Sequence, residues 1–431
     1  MVGEALGNQQ VIEAVLQFGS PLFLYDGSIL RDTYRSLREA LPNEIDIFYS
    51  MKANPVLGIS ELLCREGACC EVCSAVELEV AIKAGFKPSD IIFVGPGKSA
   101  DEIEQCFQHQ IYAIVCESIE EVEQINRMAK ARRTTFPILL RVNPDFSIQN
   151  APLKMGGKAT QFGMDFDIVN ALNPSRFENI KILGIHVYNG TRILDADSVI
   201  ANTVNVLSLA ETFAKKWGLL FECVDIGGGL GIPYFPGENI FNLQKFKSGM
   251  ALVIKQYIEK YPNTRIILES GRYLVGPCGS LISKVLSVKP SHGEDFIITD
   301  GGMNCHMAVT GIGSFIKRNF PTQLISPKTT NLKLRKYNVT GPLCTPGDVT
   351  AKQVELPEAH IGDLIKICAS GAYGPTASPG RFLSHGFPAE VLFDENKFYL
   401  LRRRETVEDI LSTQCSLSNM LTNKEILNEK H

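Results

Sequence analysis

Eight short apolar runs punctuate the chain, at 45–50, 69–74, 91–94, 112–116, 137–142, 182–187, 221–226 and 266–269. Stretches of helical periodicity lie before and between them, at 27–40, 76–84, 101–108, 118–130, 198–216 and 243–260. This alternation predicts βα units around a parallel sheet. Near-continuous apolar strands fit a sheet covered on both faces. Eight of them predict closure into a TIM-type (β/α)8 barrel rather than an open sheet. Beyond residue 277 the helical periods fade. Strand-like runs at 279–288, 296–299, 332–339, 364–369, 390–393 and 398–402 are separated by turn signals, which predicts an antiparallel β domain. The expected division is a barrel over 36–276 and a β domain built from 1–35 and 277–431. Its polar tail from Glu405 reads as a terminal helix or arm.

Composition narrows the function. Lys and Arg number 43 against 47 Asp and Glu, a net charge of −4, so no global basic field draws nucleic acid or anionic lipid. No apolar run approaches the roughly 18 residues of a membrane span. Residues 1–20 lack a basic segment followed by an apolar one, so no secretory signal is expected. Twelve cysteines in 431 residues are too few for a disulfide scaffold and predict reduced thiols in the cytoplasm.

A barrel carries its chemistry at the C-terminal ends of its strands. In order, those ends read Tyr49-Ser50-Met51-Lys52, Glu71, Gly95-Pro96-Gly97-Lys98, Glu117-Ser118, Arg141-Val142-Asn143, His186-Val187-Tyr188-Asn189-Gly190-Thr191, Asp225-Ile226-Gly227-Gly228-Gly229 and Glu269-Ser270-Gly271-Arg272. Turns alone do not require this density of Lys, Arg, Glu and Gly. The run Gly227-Gly228-Gly229 lets backbone N–H groups approach an oxyanion, although a plain tight turn is the simpler reading of glycine alone. Loops after the seventh and eighth strands are the favoured phosphate site of a barrel, and Arg272 adds a charge-assisted contact there. A strand-end lysine is usually a solvated charge. Facing a phosphate cradle, Lys52 instead gives what pyridoxal 5′-phosphate needs, an amine and a handle. Glu269 then suits the ring nitrogen.

With Gly341-Pro342-Leu343-Cys344-Thr345-Pro346-Gly347-Asp348 and Gly371-Ala372-Tyr373-Gly374 downstream, the assembly resembles the fold-type III pyridoxal-phosphate decarboxylases. That family includes the diaminopimelate, ornithine and arginine decarboxylases and shares an alanine racemase-like barrel. The likeness spans roughly 20–410. It implies Lys52 as the Schiff-base residue and Cys344 as the catalytic cysteine, given across a homodimer interface. It implies cofactor contacts from Glu71, Arg141, His186, Tyr188, Thr191, Gly227, Gly228, Gly229, Glu269, Gly271, Arg272 and Tyr373. Thr345, Asp348 and Phe382 fall at substrate positions. No metal is implied.

The departures bear on substrate. Ser270 replaces the usual proline, Tyr188 a ring-stacking histidine and Leu383 an asparagine. Thr345 replaces the acid that holds a distal amino group. Ala308 stands where diaminopimelate enzymes carry an arginine for the distal carboxylate. Loss of both clamps disfavours a free diaminopimelate substrate. The motifs His-Val-Tyr-x-Gly-Thr, Glu-Ser-Gly-Arg-Tyr-Leu, Gly-Pro-Leu-Cys-Thr-Pro and Gly-Ala-Tyr-Gly are similar to a biosynthetic-cluster branch typified by the butirosin-type L-glutamyl-[acyl-carrier protein] decarboxylases. The expected activity is therefore α-decarboxylation of a carrier-tethered or masked amino acid. A meso-diaminopimelate decarboxylase is the alternative, and a non-catalytic pyridoxal-phosphate-binding homologue the second. Cys70-x-x-Cys73 lies along a strand with no matching ligand pair, so redox and zinc roles are not expected. His306 stays undecided. The run Arg402-Arg403-Arg404-Glu405 reads as solvated surface, with carrier docking the sharper option.

Overall fold

The computed structural model describes residues 6–312, 317–326 and 333–417. Its eight parallel barrel strands are Ile45–Ser50, Cys69–Val72, Ile91–Phe93, Ala113–Cys116, Phe136–Asn143, Ile180–His186, Cys223–Gly228 and Arg265–Ser270. Each pairs with the next, and Arg265–Ser270 closes on Ile45–Ser50 through Ile266–Ile45 and Leu268–Ile47. Their burial is nearly unbroken, which is why they read as apolar runs rather than alternations. Phe48, Ile92, Val115, Leu139 and Ile267 belong to one buried cluster, and the opposite faces pack on the helices.

Helix starts are written into the sequence. Ser74, Ser99, Ser118, Asp195 and Asn242 each accept a backbone N–H of the first turn of the helix that follows. Ser99 and Glu102 complete a reciprocal capping box. The helix Gly27–Ala40 packs against Leu57–Arg65 and Leu243–Ile258, closing the helical ring. A boundary at residue 36 therefore cuts through a helix. The strand Leu22–Asp26 before it lies in the other domain, so the chain crosses between domains at 26/27.

In the second domain a long sheet runs Val349–Leu356, Arg335–Thr340, Glu294–Thr299, Gly279–Ser291, Leu22–Asp26, Ala389–Asp394, Lys397–Arg402, with Leu364–Ile367 and Thr322–Ile325 attached to Gly279–Ser291. It is mostly antiparallel. Leu22–Asp26 runs parallel to Ala389–Asp394, and Glu294–Thr299 parallel to Arg335–Thr340. The Leu22–Asp26 and Ala389–Asp394 strands are joined by a buried Glu390 that accepts from Tyr25 Oη and pairs with Arg402. Within the arginine run Arg402 is thus part-buried, while Arg403 is exposed at the solvated surface. Arg403 pairs with Asp409, and Glu405 with Arg381. The tail forms the helix Val407–Leu411, and the rest of the expected arm, from 418 on, lies outside the described residues. No described helix is long and apolar enough to cross a membrane.

Candidate active site

Parallel pairing puts the polar strand ends at one mouth. Arg141 pairs with His186, and His186 with Asp225, so three adjacent strands present charged or polar groups in one row. A cavity of about 440 Å³ opens there, lined by Lys52, Arg141, His186, Tyr188, Thr191, Glu269, Arg272 and Tyr373. The eight of them were expected at the site from sequence.

Lys52 sits in the turn Met51–Ala53 that ends the first strand, with its side chain 36 % exposed to the cavity. Its Nζ donates to Glu71 Oε1 and lies 5.6 Å from the centre of the Tyr188 ring. Burial pulls the ammonium down, but the carboxylates of Glu71 and Glu269 work against it, and Lys52 is held well above its usual value. Glu71 is fully buried, and its other oxygen has no partner. Cys73 Sγ lies 3.4 Å from Glu71 Oε1 and also lines the cavity. Burial pushes both Cys70 and Cys73 up, so these thiols stay neutral.

On the opposite wall His186 Nε2 meets Glu269 Oε1 at 3.0 Å, with both side chains buried. Burial alone would raise Glu269, but His186, Lys52 and Arg141 overcome it and leave the carboxyl below its usual range. Asp225 beside them is pushed up by burial and by the Glu269 charge, while the Gly227 N–H it accepts at 2.8 Å acts the other way. Ligand atoms of His186, Asp225 and Glu269 all lie within 4.8 Å of one another. The His186–Glu269 hydrogen bond accounts for the closeness of two of them, and Asp225 faces them from the neighbouring strand.

Arg141 is fixed by Glu117, which accepts from Arg141 Nη1 at 2.7 Å and from the Gly95 and Gly163 N–H groups at 3.0 Å each. Sequence reading noted Glu117 as a strand-end acid and gave it no role. Only its partners, far away in sequence, reveal one. Phe162 and Met155, which also line the cavity, come from the segment after the fifth strand and carried no sequence signal.

The glycines are needed for a reason the sequence does not show. A Cβ on Gly228 would lie 1.7 Å from the Glu269 carbonyl, one on Gly229 2.1 Å from that of Gly190, and one on Gly227 2.3 Å from that of Val187. The loop is wedged between the sixth and eighth strands, with Gly227 and Gly229 at positive φ. Gly227 spends its N–H on Asp225, so its part is to shape the turn. Gly271 packs against Ala53, and a Cβ there would come within 2.9 Å of the Ala53 methyl. Arg272 follows it, donating to Tyr234 Oη at 2.8 Å and stacking 4.6 Å from the Tyr373 ring centre. Tyr373 is anchored by its N–H to the Ala53 carbonyl at 2.7 Å, tying the β domain to the Lys52 turn.

Four expected residues stand apart from this cavity. Cys344 is exposed, and Thr345 lies in the same loop. Phe382 is 43 % exposed in the short turn Phe382–Ser384. Asp348 is buried, with its two oxygens accepting the N–H groups of Met303 and Leu343 at 2.6 and 2.8 Å. Its carboxylate thus joins two loops. His306 is wholly buried between Phe23 and Phe320 with neither ring nitrogen partnered, and burial pulls it down to about 3.

Buried polar atoms of Glu71, His186, Asp225, Ser270 and Arg272 are left without partners around this cavity. Such atoms call for a polar occupant. A sequence model of the family described as "Pyridoxal-dependent decarboxylase, pyridoxal binding domain" matches residues 27–276. The chain belongs to the pyridoxal-dependent decarboxylases. The L-glutamyl-[BtrI acyl-carrier protein] decarboxylase of Niallia circulans is 37 % identical over 422 residues, 96 % of this chain and 99 % of that protein. The diaminopimelate decarboxylase of Aquifex aeolicus is 31 % identical over 402 residues, 93 % and 92 % of the two chains. Among solved structures, the Helicobacter pylori diaminopimelate decarboxylase complexed with L-lysine superposes with a TM-score of 0.84 at 28 % identity, covering 93 % of this chain and 98 % of that one. This decarboxylase therefore uses pyridoxal phosphate, and its barrel and mostly antiparallel second domain are those of its relatives.

Proposed function

We propose that this decarboxylase removes the α-carboxylate of an amino acid whose distal end is masked, with a glutamyl group on an acyl-carrier protein as the substrate. The similarity that carries the reading is the 37 % identity, end to end, to a glutamyl-carrier decarboxylase. The neutral Thr345 and Ala308 agree with it, because a thioester offers neither a distal ammonium nor a distal carboxylate. The diaminopimelate decarboxylases, at 31 % in Aquifex aeolicus, support the alternative substrate. A merely binding homologue is disfavoured because the relatives that match over nine-tenths of the chain are themselves decarboxylases.

In this reading Lys52 is the covalent anchor for the cofactor. Thr191, Gly228, Gly229, Gly271, Arg272 and Tyr373 hold its phosphate end. Tyr188 takes the stacking position. When bound, pyridoxal phosphate supplies an electron sink for the pair left on Cα as CO2 departs. Glu269, kept ionised by His186, holds a proton on the ring-nitrogen side and so favours that sink. Glu71 accepts from the Lys52 ammonium and positions it. Cys344, exposed in the single chain, delivers a proton to Cα from the partner subunit of a homodimer. The enzyme works in the cytoplasm, where its twelve cysteines stay reduced.

The test is CO2 release by the cofactor-loaded protein from free diaminopimelate, ornithine, arginine and glutamate, and from glutamyl-loaded carrier protein. Turnover confined to the tethered substrate is the expected result. Efficient turnover of free diaminopimelate would overturn the substrate assignment and leave the decarboxylase chemistry standing.

A further inference from the structure

Arg272 at the cavity wall is the inner member of a cationic cluster that continues outward. Its guanidinium lies 5.6 Å from the Tyr234 ring centre, and Arg192 covers the same ring at 5.3 Å. Arg192 also lies 5.4 Å from the Phe235 ring, and Arg318 covers that ring at 4.0 Å. Contacts thus run from the cavity to Arg318, whose side chain is 54 % exposed. One carboxylate serves the two outer arginines. Glu238 Oε1 lies 3.9 Å from Arg192 and 3.3 Å from Arg318, while Oε2 accepts the N–H groups of Tyr234 and Phe235. Two guanidiniums against one carboxylate leave a positive charge uncompensated among the described residues. Arg192 Nε is buried and unpartnered, burial and the Arg272 charge both press on its ionisation, and its backbone is held at φ 62°. Unpaired buried donors and left-handed backbone at a non-glycine residue are costly, and they collect where a ligand binds.

We infer that Arg192 and Arg318, splayed over Phe235, form an anion subsite for the phosphodiester of the substrate's carrier arm. The inference rests on the tethered-substrate reading. A glutamyl thioester is neutral at its distal end, so the next anion outward is the phosphate of the pantetheine arm. Planar guanidiniums fixed on aromatic faces suit bidentate contact with phosphate oxygens. Arg192 directly follows Thr191, which lines the cavity, so the subsite begins beside the cavity and runs outward to the half-exposed Arg318.

The experiment compares two small substrates with the holoenzyme, the glutamyl thioesters of pantetheine and of 4′-phosphopantetheine. In the wild type the phosphate is expected to lower KM about tenfold, roughly 1.4 kcal/mol, with kcat unchanged. Arg318→Gln and Arg192→Gln are each expected to raise KM for the phosphorylated thioester towards that of its partner and to leave the other substrate alone. Arg192→Lys should recover part of the loss. Arg318 is half exposed, so its variant keeps the test open if Arg192→Gln misfolds, and bound-cofactor absorbance reports folding of both. Variants that weaken both thioesters equally, or neither, would overturn the subsite. So would variants that raise KM for free diaminopimelate, since the arginines would then hold a carboxylate. A wild type that turns over both thioesters alike removes the subsite only, whereas one silent on both but active on a free amino acid removes the tethered reading with it.

Discussion

At the scale of single residues, the site is a balance of buried charge. Lys52 lies in a wall whose burial disfavours its ammonium, and Glu71, the strongest of its anionic neighbours, together with Glu269 offsets the cost. An amine must lose its proton before it can attack an aldehyde. Neutralising Glu71 leaves burial as the dominant influence, so the Lys52 value falls. In Glu71→Gln the pH midpoint for covalent loading of pyridoxal phosphate onto the apoprotein should move downward, read from the bound-cofactor absorbance. A midpoint that stays or rises would show that Glu71 does not govern Lys52. Lys52→Ala should lose both that absorbance and CO2 release, and any retained turnover would remove the lysine from the chemistry. The residues that make these contacts were largely legible, because a lysine, a glutamate and a histidine at strand ends are costly without partners. Glu117 was not, since its worth lies in Arg141, Gly95 and Gly163, which only the fold brings to it.

At the scale of elements, barrel strands buried on both faces announce themselves as apolar runs, and all eight expected runs became strands. Other elements had no such signature. Leu22–Asp26 is buried throughout, yet it is five residues long and finds its partners at 279–282 and 389–393. Thr322–Ile325 and Val349–Leu356 pair across loops in the same way, and their mixed burial blurs any period. The helices Asn8–Phe18 and Leu57–Arg65 start without a side-chain cap, so no N-terminal signal marks them. Glycine spacing was legible as a loop, but its cause was not. The seventh strand end is packed so closely that Gly228 has the Glu269 carbonyl where a methyl would stand. Gly228→Ala cannot be relieved by a side-chain rotation, because the obstacle is backbone. It should cost about 1–3 kcal/mol in stability. It should also weaken cofactor binding by shifting Glu269. The denaturation midpoint and the pyridoxal phosphate dissociation constant check both, and an unchanged pair would mean the strand end is softer than its packing implies.

At the scale of the whole molecule, one chain brings Lys52, Glu269, Arg272 and Tyr373 to a single cavity and leaves Cys344 and Thr345 outside its lining. If Cys344 is the proton donor, Cys344→Ala should lower kcat by about 10²–10⁴-fold with cofactor absorbance intact. That alone does not say which subunit the thiol serves, but mixing two inactive proteins does. In a C2 dimer with exchanged cysteines, a subunit carrying Lys52→Ala joined to one carrying Cys344→Ala places both lesions in one site and leaves the other whole. Random re-association makes half of the dimers mixed, each with one intact site of two, so about a quarter of wild-type activity should return. If each subunit used its own Cys344, every site in every dimer would carry one lesion and nothing would return. Recovery near a quarter on re-association therefore separates a shared site from a self-contained one, and it does so without knowledge of the natural substrate.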